Sequence, residues 1–316
     1  MLTKPNTLML SECIAYYLQL CEIKGLSLNT INGKSTNLSL FFKWCQNHGI
    51  TEVSETTTEI LDNYQAHLNQ YQKPHNAENL CRATIRARLT SVKVFLRCLF
   101  QKNIIETNDF ESFELPKLGR RLPKPVLSQK EVALIFEQVH IGDIKGVRDR
   151  AILETFYASG IRRFELSQLT IDDIDFDQHQ LRVNQGKGHK DRYVPIANRA
   201  CYWLYRYLKY ARPKLAKEGC NSVLFVTNRG NAYRPTQLSE MVAKNIKLSG
   251  IRKTGACNQF RHAAATHMVD NGADIRHVQE FLGHADISTT QIYLHVSMTK
   301  LRAVYEKTHP AANMEH

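Results

Sequence analysis

A stretch rich in proline and basic residues divides this chain of 316 residues into two parts. Within FELPKLGRRLPKPVLSQKEV, a regular helix is excluded by Pro116, Pro123 and Pro125. Ser128 and Glu131 have the spacing of a capping box, which predicts that a new helix begins there. The sequence therefore predicts an N-terminal domain, an extended basic linker and a second domain, over residues 1–112, 113–127 and 128–316.

The N-terminal part contains four predicted helices, over residues 11–25, 27–49, 58–72 and 79–103. The fourth helix carries an apolar stripe and, beside it, a basic stripe. The apolar stripe consists of Ile85, Leu89, Val92, Leu96 and Leu99, and the basic stripe of Arg82, Arg86, Lys93 and Arg97. The apolar stripe is predicted to pack into a core. The basic stripe either forms an ordinary solvated face or contacts phosphates.

The charge balance favours contact with phosphates. The chain carries 42 Lys+Arg against 30 Asp+Glu, a formal charge of +12, which favours a polyanion over a neutral or acidic partner. We therefore predict that the basic stripe binds DNA, together with Arg120 and Arg121 in the linker.

Cysteine usage and hydropathy indicate the compartment. The eight cysteines are dispersed, without a C-x-x-C pair or zinc-like spacing, which is typical of reduced thiols in the cytosol. The sequence also lacks an N-terminal apolar segment before a cleavage site and any run of about 18 apolar residues. We predict a cytoplasmic protein, associated with the nucleoid through DNA, and no membrane partner.

The second part is predicted to mix helices with short strands. Residues 171–185 and 192–196 flank the turn Gly186-Lys187-Gly188 and predict a β-hairpin, and residues 223–230 predict a further strand. Arg162 follows Gly160, which ends one predicted helix, and lies at the entry to the next. An arginine there can join backbone N–H groups in holding an anion.

Three further helices are predicted towards the C-terminus. In the first, Asn258 and Arg261 lie three residues apart on the face beside an apolar stripe. The second, ADIRHVQEFLG, ends at Gly283, and His284 follows it. Ser288, with Gln291 three residues on, is predicted to begin the short helix that carries Tyr293. A tyrosine in a chain of this size usually fills space, so only its surroundings can indicate a reactive role.

The surroundings of Tyr293 resemble the tyrosine recombinase (phage integrase) family, in particular its Xer-like and integron-integrase-like branches. The resemblance rests on Arg162 in SGIRRFEL, Lys187 in QGKGHKDRYVP, Arg261 in FRHAAATHMVDNGADIRHVQEFLGH, and His284 and Tyr293 in LGHADISTTQIY. It covers nearly the whole chain. Asn258 departs from the family pattern, which usually places a histidine three residues before the arginine.

The resemblance implies a fold and a set of catalytic roles. The fold is an N-terminal all-α core-binding (SAM-like) domain followed by a C-terminal, mainly α (α+β) catalytic domain with a small β-sheet. Tyr293 attacks the scissile phosphorus and gives a 3′-phosphotyrosyl link, while Arg162 and Arg261 hold the phosphate oxygens. Lys187 acts as general acid for the leaving 5′-oxygen.

Three more residues receive supporting roles. His284 donates to the phosphate or assists the tyrosine, and Glu165 orients its neighbours. Asn258 is expected to position the phosphate without acting as a base, because an amide does not take up a proton near neutral pH.

The partners implied are double-stranded DNA recombination sites and three further copies of the chain in a tetrameric synapse. The C-terminal segment, MTKLRAVYEKTH, resembles the helix by which neighbouring protomers dock, and the alternative is a helix packed on its own domain. A requirement for an accessory protein or a partner recombinase stays open. We expect no cofactor and no metal. The histidines His262, His267, His277, His284 and His295 lack metal-ligand spacing.

Two other function classes share many of these features. A type IB topoisomerase-like enzyme would use the same chemistry to nick and relax DNA, and the short Xer-like layout argues against it. A non-catalytic DNA-binding regulator is suggested by Asn258, and retention of the other polar groups argues against it. A covalent-complex assay separates the three classes.

Overall fold

A computed structural model describes residues 5, 7–74, 76–119, 125–184, 191–217, 222–284, 288–291 and 305–306. The chain forms two compact units, Met1–Arg121 and Leu122–His316. Lys187, Tyr293, Arg120 and Arg121 lie outside the described residues. No helix within the described residues is long and apolar enough to span a bilayer.

The first unit is built from helices. Its α-helices are α1 (Leu10–Ile23), α2 (Leu28–Asn47), α3 (Thr58–Gln70) and α4 (Arg82–Gln101), which confirms the four predicted helices. Ser27 begins α2 by accepting a hydrogen bond from the Thr30 N–H, and Thr57 begins α3 in the same way with Ile60. Short 3₁₀ turns lie at Val53–Glu55 and Asp109–Glu111.

The apolar stripe of α4 lies at the centre of this unit. Every predicted member of the stripe is buried, in one cluster with Phe41, Tyr64 and Phe95. Phe113, the first residue of the predicted linker, belongs to the same cluster. The chain therefore still packs against α4 after that helix has ended.

The second unit is mostly helical and contains one small sheet. Its helices are α5 (Gln129–Gln138), α6 (Ile144–Ser159), α7 (Arg163–Gln168), α8 (Asn198–Arg206), α9 (Arg212–Leu215), α10 (Pro235–Leu248), α11 (Cys257–Asp270), α12 (Ile275–Leu282) and α13 (Ser288–Gln291), and a π-helical turn, Tyr207–Ala211, joins α8 to α9. The capping box of Ser128 and Glu131 begins α5, as predicted.

The sheet has three antiparallel strands in the order β1 (Ile174–Asp175), β2 (Gln180–Val183) and β3 (Arg192–Pro195). Val183 pairs with Arg192 and Leu181 with Val194, so the predicted pairing of these two segments is confirmed. Residues 171–185, predicted as one arm, contain both β1 and β2, which pair with each other. The strand predicted over residues 223–230 is wrong. Val223 and Val226 make only isolated bridges, because the chain reverses at Thr227 and pairs Val226 with Ala232.

Helix α6 organises the core of this unit. Its residues are buried on most faces, and it packs against α8 and α11. It ends at Gly160 with φ 56°, a left-handed conformation that glycine adopts without steric cost. A Cβ at this position would lie 2.8 Å from the Phe281 ring, so Gly160 also lets the end of α6 approach α12 closely.

Candidate active site

Arg261 joins the C-terminal ends of two helices. Its side chain projects from α11 and is buried. One guanidinium nitrogen, Nη1, donates to the carbonyl oxygen of Gly160 at the end of α6, and Nη2 donates to that of Leu282 at the end of α12, at 2.7 Å. The last carbonyl groups of a helix lack partners within the helix, so the guanidinium satisfies one at each end and is fixed by both.

Arg162 lies beside this junction, immediately before α7. Its Nη1 donates to Glu165 Oε1 at 2.8 Å and its Nη2 to the Gly283 carbonyl at 3.3 Å. Its backbone N–H also donates to Glu165, at 2.8 Å. The side chain keeps 27% of its exposure, so the guanidinium is held in place and still meets solvent.

Glu165 is the buried anion between two arginines. Its side chain is 3% exposed and also accepts from Arg192 of β3, from Nη1 at 3.1 Å and from Nη2 at 3.0 Å. Burial acts to raise the pKa of this carboxyl, but the hydrogen bonds from Arg192 and from the Arg162 backbone outweigh it and the pKa is lowered. Glu165 is therefore ionised at neutral pH and links α7 to the sheet.

Gly283 allows the two arginines to approach the end of α12. It has φ 62°, and a Cβ there would lie 2.8 Å from the Arg192 guanidinium. Any larger residue would force the Arg192 side chain, which binds Glu165, to shift, in addition to straining the backbone. The predicted helix stop at Gly283 is confirmed, and it has this second, steric function.

His284 follows Gly283 and lies against α13. Its Nδ1 is 2.8 Å from the Thr290 hydroxyl oxygen, and its backbone carbonyl accepts from the Gln279 side chain at 3.0 Å. Burial lowers the pKa of the ring to about 4, helped by the positive charges of Arg261, Arg162 and Arg192 and by His262. At neutral pH the ring carries a single proton and can donate from only one nitrogen.

The structure brings together four of the predicted site residues. Arg162, Glu165, Arg261 and His284 meet where α6, α7 and α12 begin or end. Asn258 lies in the first turn of α11 and is exposed. Within the described residues, no group of three or more His, Cys, Asp and Glu side chains is arranged to hold a metal ion.

Sequence reasoning did not single out Arg192 and Thr290. Arg192 lies in the motif QGKGHKDRYVP, at the start of β3, and pairs with Val183, the last residue of β2. A cation at the start of that predicted strand is the signal that would have drawn attention to it. Thr290 offers no such signal, because hydroxyl residues near a helix start normally cap the helix.

The predicted DNA-binding stripe of α4 makes contacts within its own unit. Arg86 donates to the Pro116 carbonyl at 2.7 Å, and Lys93 to the carbonyls of Glu111 and Phe113 at 2.9 and 2.8 Å. Arg97 donates to both Glu111 carboxylate oxygens, at 2.6 and 2.8 Å. Arg82 is exposed at the start of the helix. Binding of DNA by the stripe, still a prediction, has to compete with these bonds.

Comparison with known proteins identifies the family. Residues 125–300 match the phage integrase family. The chain belongs to the phage integrase family. It is 38% identical to tyrosine recombinase XerC 2 of Ralstonia nicotianae, over 96% of this chain and 87% of that protein. It is 37% identical to tyrosine recombinase XerD of Pseudomonas putida, over 91% of this chain and 93% of that protein.

A solved structure supports the fold of this phage integrase family member. The XerH site-specific recombinase, bound to its palindromic difH substrate in a post-cleavage complex, aligns with a TM-score of 0.69 and 22% identity, over 93% of this chain and 84% of that one. The predicted catalytic fold, mostly helical with a small sheet, is confirmed. The chain is a site-specific tyrosine recombinase, as its motifs predicted.

Proposed function

We propose that this recombinase cuts and rejoins duplex DNA through a covalent bond between Tyr293 and the 3′ phosphate of the cut strand. The observation that carries the proposal is the convergence of Arg162, Arg261 and a neutral His284 on one set of helix ends. The family match supports the roles of Lys187 and Tyr293, because both positions lie inside residues 125–300.

The arrangement suits a phosphodiester in two ways. The planar forks of Arg162 and Arg261 are fixed by carbonyl and carboxylate partners, so they need little reorganisation when an anion arrives. His284, which is neutral, can add one directional N–H bond without bringing further positive charge. Donors fixed in this way stabilise charge as it develops on phosphorus and are each worth roughly 10²–10³ in rate.

The covalent step conserves the phosphodiester bond energy. Tyr293 gives its phenolic proton to solvent, and its oxygen forms a bond to phosphorus as the bond from phosphorus to the 5′-oxygen breaks, while Lys187 gives a proton to that 5′-oxygen. A free 5′-hydroxyl then attacks the phosphotyrosine and gives its proton to the lysine, while the tyrosine oxygen leaves and takes up a proton from solvent. Rejoining therefore needs no external energy source.

Asn258 takes the place of the usual histidine in this scheme. We propose that its amide helps to hold the phosphate and that it does not act as a base. Its exposure in the first turn of α11, one helical turn before Arg261, supports a contact with a ligand.

The remaining assignments concern DNA and assembly. We propose that residues 1–112 form the core-binding domain, that residues 113–127 link it to a catalytic domain over residues 128–316, and that the cations of α4 and the linker contact DNA. Four protomers would act on two sites and dock through the C-terminal segment. Solved structures of similar fold include the transposon Tn1549 integrase in complex with circular intermediate DNA, which supports DNA recombination sites as the substrate. We propose a cytoplasmic location for this reaction.

The test begins with covalent capture, because the target site has to be found. The protein is incubated with sheared bacterial genomic DNA, denatured in detergent and purified, and the DNA attached to it is sequenced. A nicked suicide duplex carrying the recovered sequence then gives single-turnover cleavage rates. We expect the wild type to form a covalent complex and Tyr293→Phe to bind the duplex without forming one.

The outcomes separate the three function classes. Phosphotyrosine mapped to a residue other than Tyr293 would contradict the proposal. DNA binding without any covalent complex would indicate the regulator. Relaxation of supercoiled plasmids that lack the recovered sequence, at the rate seen for plasmids that carry it, would indicate the topoisomerase-like enzyme.

A further inference from the structure

The hydroxyl of Thr290 contacts the ring of His284 in the interior of the protein. Thr290 lies on the short helix α13 and is 0% exposed. Its hydroxyl oxygen lies 2.8 Å from Nδ1 of the His284 ring. A buried hydroxyl is costly unless it is hydrogen-bonded, so this short contact is a specific interaction between the two side chains.

The chemistry of the ring gives the contact two possible forms. A neutral imidazole has one N–H donor and one acceptor nitrogen, and a threonine hydroxyl can either donate or accept. If Thr290 donates to Nδ1, the ring proton lies on Nε2. If Thr290 accepts from Nδ1, the ring proton lies on Nδ1 and Nε2 carries a lone pair.

A phosphate bound in the site would favour one of these two tautomers of His284. The carbonyl oxygens of Gly160, Leu282 and Gly283 already accept from Arg261 and Arg162. A phosphate diester brings only acceptor oxygens and negative charge. A lone pair on Nε2 would repel these oxygens, whereas an Nε2 proton would donate to one of them.

We propose that Thr290 is a positioning residue, whose hydroxyl donates to Nδ1 of His284 and keeps the ring proton on Nε2, where it donates to the scissile phosphate. This inference rests on the proposed function, since it names the phosphate of that reaction as the acceptor. Gln279 acts on a different atom of His284, because its amide binds the backbone carbonyl and leaves ring tautomerism to Thr290.

The first test reads the tautomer directly and needs no DNA. The full chain is labelled with ¹⁵N-histidine, and long-range ¹H–¹⁵N correlation spectra are recorded at pH 7. The His284 signals are assigned as those lost in His284→Gln. We expect an unprotonated Nδ1 and a protonated Nε2 in the wild type and in Thr290→Ser, and a shift of population towards the Nδ1–H form in Thr290→Val. Either an Nδ1–H wild type or an unchanged tautomer in Thr290→Val overturns the proposal.

The second test measures cleavage of the suicide duplex in a single turnover. Loss of one hydrogen bond that orients a catalytic ring is expected to slow Thr290→Val about tenfold. Thr290→Ser, which keeps the hydroxyl, should stay within about twofold of the wild type. Circular dichroism and thermal melting check that both variants fold. A tautomer shift in Thr290→Val with no loss of rate would also overturn the proposal.

A double-mutant cycle separates positioning from general damage. In the His284→Gln background the ring is absent, so Thr290→Val should cause no further loss of rate. An additional tenfold loss in that background would indicate a role apart from His284 and would overturn the proposal. Because the tautomer is read without DNA, its result stands even if no covalent complex with Tyr293 forms.

Discussion

Two groups of cations in this protein are both assigned to phosphates, and they are held in different ways. On α4, Arg97 pairs with Glu111, and the two side chains are 46% and 38% exposed. In the active site, Arg162 pairs with Glu165, which is only 3% exposed, and Arg261 binds carbonyl groups in the interior. The sequence identifies both groups as basic, and only their partners distinguish them.

The difference determines what each group can do. The Arg97–Glu111 pair is exposed to water, screened by salt and worth little, so Arg97 can exchange Glu111 for a DNA phosphate at small cost. Lys93, which is only 13% exposed, and Arg86 bind backbone carbonyls and have to give up these bonds to reach a phosphate. Arg261 cannot change partners without leaving helix carbonyls unsatisfied. Arg261 is therefore fixed in position, while Arg97 is exchangeable and suited to binding that depends on salt.

The largest effect is expected from Arg261→Ala, which removes the buried guanidinium bound to the carbonyls of Gly160 and Leu282. Cleavage of the suicide duplex should fall by about 10³, because one of the two arginines proposed to hold the phosphate is lost. The free energy of unfolding should also fall by about 3 kcal/mol, since the carbonyls of Gly160 and Leu282 lose a partner. Single-turnover rates and urea unfolding measure the two effects.

Arg97→Ala is the matched control, because it removes an exposed arginine whose partner is also exposed. It should leave the cleavage rate at saturating protein within about twofold and the unfolding free energy within about 0.5 kcal/mol. Equal losses of stability in the two variants would contradict the distinction between fixed and exchangeable cations.

The next largest effect on the cleavage rate is expected at Asn258, which is exposed and lies one helical turn before Arg261. Asn258→Ala should slow cleavage less than Arg261→Ala, because a neutral hydrogen bond is lost in place of a charged one. Asn258→His should raise the rate near pH 7, by up to about 10², because histidine can accept a proton there. The exposed position gives a larger ring room without disturbing the core.

The measurement is single-turnover cleavage between pH 6 and 9. With Asn258 in place, the rate should be low at neutral pH and rise towards alkaline pH as the phenol ionises more readily. An Ala variant as inactive as the Arg261 variant would make Asn258 an essential catalytic group and would refute the role proposed for it.

A smaller effect is expected on stability as a function of pH. The pKa of His284 is lowered from 6.5 to about 4 in the folded protein, so between these values the unfolded chain binds the proton first. This preference of the proton for the unfolded chain lowers the free energy of unfolding. The loss is complete below pH 4 and absent above pH 6.5, so the free energy of unfolding should rise with pH across this window. Glu165 adds a separate contribution. Its pKa is lowered, so its stabilisation is present above its ordinary pKa and is lost as pH falls through the folded value.

The measurement is the thermal midpoint of the wild type minus that of His284→Gln, from about pH 4 to 7, the range between the lowered pKa and neutrality. This difference gives the contribution of His284 to the pH dependence of stability. The difference should increase with pH and level off above about pH 6.5, the pKa of an unperturbed histidine. A flat difference would mean that the burial and the neighbouring arginines do not hold the ring neutral.

The sequence predicted features that depend on local spacing and missed contacts between residues far apart in the chain. Helix periodicity placed α1 to α4 and the apolar stripe of α4, and the glycines at 160 and 283 marked the helix ends, because these features depend on local spacing. The strand predicted over residues 223–230 failed because a turn at Thr227 redirected an apolar run. The bonds of Arg261 to Gly160 and of Arg192 to Glu165 join residues far apart in the chain, and periodicity carries no information on such contacts.

The smallest effect is expected from Glu111→Gln, which tests whether Arg97 and Lys93 bind DNA. This change removes the competing carboxylate from Arg97 and Lys93 and leaves the backbone bonds of Lys93 to Glu111 and Phe113 possible. If both cations bind phosphate, affinity for duplex DNA should rise a few-fold, because they no longer give up an ion pair of about 0.2–1 kcal/mol. The dependence of log affinity on log salt should keep its slope, since the number of phosphate contacts is unchanged.

The double variant Arg86→Ala with Lys93→Ala is the counterpart of that experiment. Removal of two phosphate contacts should flatten the slope by roughly two, at about 0.9 per contact. It also removes the bonds of these side chains to Pro116, Glu111 and Phe113, so binding must be compared with thermal melting of the same variant. The opposite result is a slope that stays unchanged while Glu111→Gln binds DNA as the wild type does. That result would mean that the basic stripe holds residues 111–116 against α4 and does not bind DNA. Arg86, Lys93 and Arg97 would then hold their own chain together, as Arg261 does in the active site, and would not exchange their partners for DNA.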